Sequence, residues 1–443
     1  MMDDLIATAE VRARDVLRQC VAPEGIHASA APGGYDQVWA RDSMIVAVAA
    51  CAVGLTELAP AIEASLETLT RAQSPLGYVP LNVHAGGRRD QGDPGGIDSN
   101  LWYVIGHQML HRAFGAAKLL ARHREAIERA MLWARYQDSD DDGLIEAQEA
   151  ADWADLLANR GKVLYSNVLY AAALRAYADL ADDVRLRDGA AHVALADRVV
   201  ARLRRLHWVE APLGLVDDPV HSDEHAETRR IRALTGSQLW RRPYFLPWVG
   251  FRDFGDWCDV LGNSLAILTG VATELQRAAI LDYCEQVGVA SPVPAKAIHP
   301  PILPGSKDWR DYYRNGDLSM PHQYHNGGAW PFIGGFLIAA CVADGRLVTA
   351  RAYLERLAAA LLGDGDPLGA FNEWHHGQTG RAMGKPLQAW SAAMFLFAKR
   401  AVDDGHAPWP LPRRRARDAE LDQSRLIEPA PRSATDVRGK ADR

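Results

Sequence analysis

Two clusters of side chains hold most of the chemistry this sequence offers. The first spans Tyr35–Ser43, where Tyr35, Asp36, Gln37, Trp39, Arg41 and Asp42 crowd together just before the apolar run Met44–Val53. The second lies near the other end of the chain, at Phe371–Gly377, where Glu373 stands beside Trp374, His375 and His376. A plain helix start calls for no such density. Cleaving a glycoside through an oxocarbenium-like state needs one carboxylic acid to protonate the leaving oxygen. It also needs a second carboxylate to activate water or attack the sugar. Asp42 and Glu373, each flanked by tryptophan, fit that demand, with a helix N-cap as the alternative role for Asp42. Electrostatics leaves their roles open. A helix N-terminus and Arg41 would lower the pKa of Asp42, whereas burial against Trp39 would raise it.

Other polar groups stand where helices begin. Asp98 is one; Asp152, Trp153 and Asp155, with Asn167 further on, are others, suited to sugar hydroxyls or to ordinary helix capping. Pro321–Phe332 places His322, His325, Asn326 and Trp330 around a Gly-Gly turn and reads as a site wall. No third ligand is spaced with its histidines for a metal, so no metal or cofactor is expected. Asp138, Asp140, Asp142, Gly143, Glu146 and Glu149 match the calcium-loop pattern. A second EF-hand helix should follow, yet the Trp153 loop comes next, so an acidic turn is the alternative. No P-loop, Rossmann fingerprint, GxSxG elbow or HExxH occurs.

The elements that must position these groups are helical. Periodicity predicts twelve helices of two alternating kinds. Apolar nearly all round are Asp42–Val53, Ile97–Phe114, Leu164–Leu180, Val260–Leu268, Gly328–Val342 and Pro386–Val402, the pattern of helices buried on every side. Amphipathic and charged are Met2–Cys20, Glu57–Arg71, Ala116–Tyr136, Arg185–Leu206, Thr273–Gln286 and Leu347–Leu361. Strict alternation predicts an all-α toroid of six inner and six outer helices, with an open solenoid of stacked pairs as the alternative. No repeat is visible between pairs, and long polar, aromatic loops precede the inner helices. Both features favour a closed ring whose loops crowd one end and bring Asp42 opposite Glu373. The irregular section Val209–Asp259 is expected to form a small β-hairpin or lid, and the proline-rich Ser291–Asn326 a long functional loop. One domain over 1–403 and a disordered tail over 404–443 complete the organisation.

With 48% hydrophobic residues the chain can bury a large core. A net charge of −7 argues against a nucleic-acid or anionic-membrane partner. Five scattered cysteines without a CxxC pair are expected to be reduced core residues. The acidic N-terminus lacks a signal pattern, and no uncharged run is long enough to span a bilayer; a cytoplasmic protein is expected.

"YDQVWARDS", "IDSNLWY", "PHQYHNGGAWPFIGGF" and "FNEWHHGQTGRAMGKPLQAWSAAMFLFA", in that order, resemble the neutral/alkaline invertase family. They also resemble its wider clan of (α/α)6 glycoside hydrolases, which includes processing α-glucosidase and the glucosylglycerate and mannosylglycerate hydrolases. The likeness covers roughly residues 30 to 402. It implies an inverting mechanism with Asp42 as general acid and Glu373 as general base. It further implies that Trp39, Arg41, Asp98, Trp153, Asp155, His325, Trp330, Gln388 and Trp390 line the sugar pocket. Glu373-Trp374-His375-His376 departs from the Glu-Tyr-Tyr-Asp typical of the invertases, which bears on sucrose specificity. The expected substrate is a short glycoside, sucrose or a small α-glucoside, or else a glucosylglycerate or mannosylglycerate. Two other readings are a sugar epimerase using His325 with His375 or His376, and a non-catalytic sugar-binding protein.

Overall fold

A computed structural model of the chain describes residues 2–90, 96–209, 226–363 and 370–409. Six helices form an inner ring: α2 (Ala40–Val53), α4 (Ile97–Phe114), α6 (Leu164–Val184), α9 (Val260–Leu268), α11 (Pro331–Ala343) and α13 (Ala389–Asp404). Each packs on the next, and α13 packs back on α2, so the ring is closed. Around it lie α1 (Met2–Gln19), α3 (Ala59–Ala72), α5 (Ala117–Arg135), α7 (Gly189–Leu206), α10 (Glu274–Gln286) and α12 (Leu347–Leu362). The α/α toroid, not the open solenoid, is the fold.

Burial explains which helix goes where. α2 is buried from Ala40 to Cys51 and α11 from Pro331 to Val342, so neither has a face to give to water. Each Val, Leu or Ile removed from water there contributes about 1.5–3 kcal/mol. α5 buries Leu119, Leu120, His123, Ala126, Ile127, Ala130, Met131 and Ala134, a single stripe at helical spacing, and leaves its charges outside. All five cysteines are buried and free.

A crown of strands two or three residues long sits at the end of the ring where inner helices begin. The segment before each inner helix pairs with the segment before the next. Trp39 pairs with Asn82, Val163 with Trp248, Asp259 with Ile298, and Ala329 with His375. Between α4 and α6 the link is one bond, Ile97 N–H donating to the Ala151 carbonyl at 3.2 Å. The last pair closes the circle: Ser29 bridges Gln388, and Ala389 N–H donates to the Ala28 carbonyl at 2.8 Å.

Two departures from the sequence reading have clear causes. Among the described residues there are thirteen α-helices; the extra one is α8 (Ala226–Leu239), whose polar sequence shows no apolar stripe. The expected hairpin is present as Trp248–Gly250 paired with Asp253–Phe254. α11 and α13 start three residues later than periodicity placed them, because the crown takes the preceding residues. The stretch 210–225 and the expected tail from 410 onward lie outside the described residues; Trp409, past the expected domain end, is buried.

A repeat invisible in the overall sequence emerges at the fourth residue of three inner helices. Asn100 accepts from Val79 N–H at 2.8 Å and donates to the Gly77 carbonyl at 2.8 Å. Asn167 accepts from Ile145 N–H at 2.8 Å and donates to the carbonyl of the same residue at 2.9 Å. Asn263 does likewise with Phe245, at 2.9 and 3.2 Å. Each amide supplies the one donor and one acceptor that a buried loop backbone lacks. Asn167 is thus a brace for the loop rather than a ligand for sugar.

Backbones approach closely where glycine allows it. A Cβ on Gly335 of α11 would lie 2.5 Å from the Met394 carbonyl of α13, whereas one on Gly106 of α4 would meet the flexible end of Met44. Gly335→Ala should therefore destabilise the protein by about 1–3 kcal/mol in denaturant titrations, and Gly106→Ala by clearly less. Equal losses would remove the α11–α13 contact from its place in holding the ring.

Candidate active site

The floor of the crown's hollow is laid by the second residue of successive inner helices. Arg41, Asp98 and Tyr165 form its polar half: Arg41 Nη1 lies 3.1 Å from Asp98 Oδ2, and Tyr165 donates to that same oxygen at 2.9 Å. Trp102 Nε1 donates to the Tyr165 hydroxyl at 2.8 Å, fixing its direction. Phe332 and Trp390, in the same position on α11 and α13, stack at 4.2 Å to form the apolar half. Trp153 meets Trp330 and Phe332 edge-on at 5.5 and 5.4 Å.

Several buried polar atoms of this floor have no hydrogen-bond partner in the protein: Arg41 Nε, Asp98 Oδ1, Gln388 Nε2 and Trp390 Nε1. Each such atom costs about 1–3 kcal/mol if left unsatisfied. Donors and acceptors spaced around an aromatic wall are what a polyhydroxylated ring would satisfy.

Asp42 and Glu373 are both brought to this hollow. Asp42 is not the N-cap of its helix, a place held by Trp39; it lies in the first turn, where its carboxylate accepts from its own backbone N–H. Arg41 Nε is 3.8 Å from Asp42 Oδ2 and favours its ionised form, yet burial outweighs it and pushes Asp42 up to about 6. Burial also pushes Glu373 up to about 7, against the hydrogen bond from Lys385 N–H to Oε2 at 3.2 Å. The charges of Asp42 and Asp155 add to that rise. Tyr35 donates to Glu373 Oε1 at 3.5 Å, and its phenol is held protonated by burial and by the charges of Glu373, Asp42 and Asp155. Three carboxylates and one phenol therefore face one space.

Asp155 differs from the other two in being half exposed, with its Oδ1 3.8 Å from His325 Nδ1. Burial and the charge of Arg41 hold His325 far below the usual imidazole range, so the ring is neutral. Its Nδ1 accepts from Leu156 N–H at 3.4 Å, which leaves the proton on Nε2. His325 stacks on Trp330 at 5.2 Å. Asp152, although buried, is committed to its own loop: it accepts from Ala154 N–H at 2.7 Å and from Asn159 at 3.0 Å, and so presents Trp153 and Asp155.

Some expected groups lie elsewhere. Asn326 braces the loop at Ile302, accepting from its N–H at 2.7 Å. His375 faces the Ala360 carbonyl of α12 without a well-formed hydrogen bond, and His376 Nδ1 accepts from Gln378 N–H at 3.2 Å. The paired histidine bases of an epimerase are not assembled. In the acidic turn, Asp138, Asp140 and Asp142 could converge on an ion. However, the Lys162 ammonium donates to Asp140 at 2.8 Å and Glu146 at 3.0 Å, and Glu149 is turned away to Arg310, 2.8 Å off. A separate cavity of about 490 Å³, lined by Tyr170, Tyr177 and His192 among others, opens among α5, α6 and α7 and shares no residue with the site.

Sequence reasoning did not single out Tyr165 or Phe332. The signal that could have found them is position, since both occupy the helical place of Arg41 and Asp98.

Known proteins bear on this arrangement. The sequence profile of the alkaline and neutral invertase family matches residues 251–405. Probable alkaline/neutral invertase D of Arabidopsis thaliana is 38% identical over 149 residues, 32% of this chain and 27% of that protein. The chain thus matches about a quarter of the length of that relative. In structure, the GH63 mannosylglycerate hydrolase of Thermus thermophilus in complex with glucose superposes with a TM-score of 0.60 at 15% identity, over 87% of this chain and 98% of that one. A bacterial glucoamylase complexed with acarbose gives 0.59 at 15% identity, over 91% and 56%. The fold is therefore the (α/α)6 toroid of the six-hairpin glycosidases. Over residues 251–405 the chain is similar to the alkaline and neutral invertases. Among the described residues, no helix is long and apolar enough to cross a membrane.

Gly384 has φ +70°, and a Cβ on it would lie 2.5 Å from Glu373 Oε2. Gly384→Ala should displace the carboxylate and lower turnover of any substrate by about 10²-fold or more while the far-UV spectrum stays unchanged. Unaltered kinetics would show that Glu373 needs no such support.

Proposed function

We propose that this protein is an inverting glycoside hydrolase acting on a short glycoside, with sucrose or a small α-glucoside as the first substrates to test. The observation that carries the reading is the pair of buried, proton-retaining carboxylates, Asp42 and Glu373, beside a tryptophan-walled floor of unpaired donors and acceptors. Glu373 activates water, and Asp42 protonates the leaving oxygen. Trp39, Arg41, Asp98, Trp153, Asp155, His325, Trp330, Gln388 and Trp390 hold the sugar. The invertase profile over 251–405, which includes Glu373, supports the reading.

A second assignment of the proton donor has one observation behind it, since burial raises Asp42 and Glu373 alike and does not assign the acid between them. Asp155 is half exposed, where a leaving group would pass, and its charge reaches Glu373. On this assignment Asp42 stays ionised and accepts from sugar hydroxyls.

Glu373→Gln should cut kcat by about 10²–10⁴-fold with the fold intact, and near-normal turnover would remove Glu373 from its role. NMR of fresh product should show the anomer opposite to that of the substrate; a retained anomer excludes inversion. A glycosyl fluoride needs no protonation of its leaving group. Whichever of Asp42→Asn and Asp155→Asn hydrolyses the fluoride well but the natural glycoside poorly marks the proton donor. The base must be ionised, so the acid limb of the kcat/KM profile should fall as pH drops through about 7. A screen of sucrose, trehalose, maltose, isomaltose, glucosylglycerate and mannosylglycerate for released monosaccharide identifies the substrate. Release from none of them counts against the short-glycoside reading.

A further inference from the structure

A hydrogen-bonded chain of titratable groups links α3, α4 and α5 and shares no residue with the carboxylate hollow. Glu67 Oε2 lies 2.9 Å from His123 Nε2. His123 Nδ1 faces His107 Nε2 at 3.0 Å and the Thr70 hydroxyl at 3.2 Å. His107 Nδ1 faces the Tyr103 carbonyl at 2.8 Å. His107 is fully buried and His123 is 2% exposed, so water cannot substitute for a missing partner.

The protons of this chain can be counted. The Tyr103 carbonyl only accepts, so His107 Nδ1 must carry a proton. Glu67 lies 3.5 Å from Arg122, which favours its carboxylate form, and a carboxylate only accepts, so His123 Nε2 must carry one too. Thr70 gives its own hydroxyl proton to the Leu66 carbonyl at 2.7 Å. Its oxygen is left to accept from Tyr103, 2.6 Å away, and from His123 Nδ1. The contact between the two rings needs a third proton. Two neutral imidazoles carry two in all.

We infer that the Glu67–His123–His107 chain holds one proton more than two neutral histidines can supply, carried as an imidazolium on His123 against the Glu67 carboxylate, and that it is a pH-sensitive clasp of α3 and α5 onto α4. His123 is the carrier because it touches Glu67; burial keeps His107 neutral, down at about 3. Burial is the largest influence on His123 and pulls its imidazole below the ordinary range, against the hydrogen bond and charge of Glu67. Arg122 is the remaining charged group acting on the pair, and it opposes the imidazolium. The hydrogen-bond count overrides the pull of burial: once one proton fills the contact between the rings, a neutral His123 would turn the bare Nε2 lone pair toward the Glu67 carboxylate 2.9 Å away, whose side chain is 38% exposed. The proton is therefore held above the ordinary imidazole range of about 6.5. The stability it contributes is fully present below that range and is lost as pH rises through the folded value.

Two measurements test this. In spectra of 15N-histidine-labelled wild type at pH 7.5, both His123 nitrogens, assigned by comparison with His123→Gln, should carry protons; a bare Nε2 overturns the inference. In Glu67→Gln, the side-chain amide can donate to a bare Nε2, so two neutral rings suffice. Between pH 6.5 and 9 the melting temperature of wild type should fall by about 2 °C or more beyond the fall in Glu67→Gln. Parallel profiles for the two proteins also overturn it.

Discussion

The whole arrangement depends on closure: α13 packs on α2, and the segment before α13 hydrogen-bonds to the segment before α2. An apolar helix such as α2 has no face for water, so it is stable only with a neighbour on each flank. An open row of such helices would leave the first and last half-covered; a ring leaves none. The same closure carries Glu373, which precedes α13, round to Asp42 on α2. Core formation and site formation are thus one event.

Closure also sets the electrostatics. Once the loops of the crown meet, Asp42 and Glu373 lose water, and burial becomes the largest influence on both. Arg41 opposes it at Asp42 and the Lys385 amide opposes it at Glu373, but neither wins. The outcome is a pair of carboxylates that hold protons near neutrality, beside a third, Asp155, that remains open to solvent. A pocket with carboxylates in such different surroundings can divide acid and base work among chemically similar groups.

Much of this was legible in the residues. All twelve expected helices are present, their apolar spacing so regular that only their ends shifted, and the first cluster does meet the second, Tyr35 donating to Glu373. What stayed hidden has physical causes. α8 lacks an apolar stripe, so periodicity is silent about it. An asparagine that braces a loop and one that binds a sugar are the same residue type, and only the carbonyl opposite Asn167 distinguishes them. Tyr165 and Phe332 belong to the floor through their place in the ring, while their identities differ from Arg41 and Asp98 at the equivalent places. The conflict over Asp42 could not be resolved without knowing how deep it lies.

Ribosomes deliver this ring in order, which has a consequence for how the protein comes into being. The partner that covers the second flank of α2 is α13, made some 340 residues later, which takes tens of seconds at ~5–20 residues per second. Throughout that interval the nascent chain carries an uncovered apolar surface on its oldest inner helix. Any version cut short before α13 would keep that surface for good, with Gly54 closing a helix that has nothing to lean on. Such fragments should be clients of chaperones and proteases rather than partly active proteins.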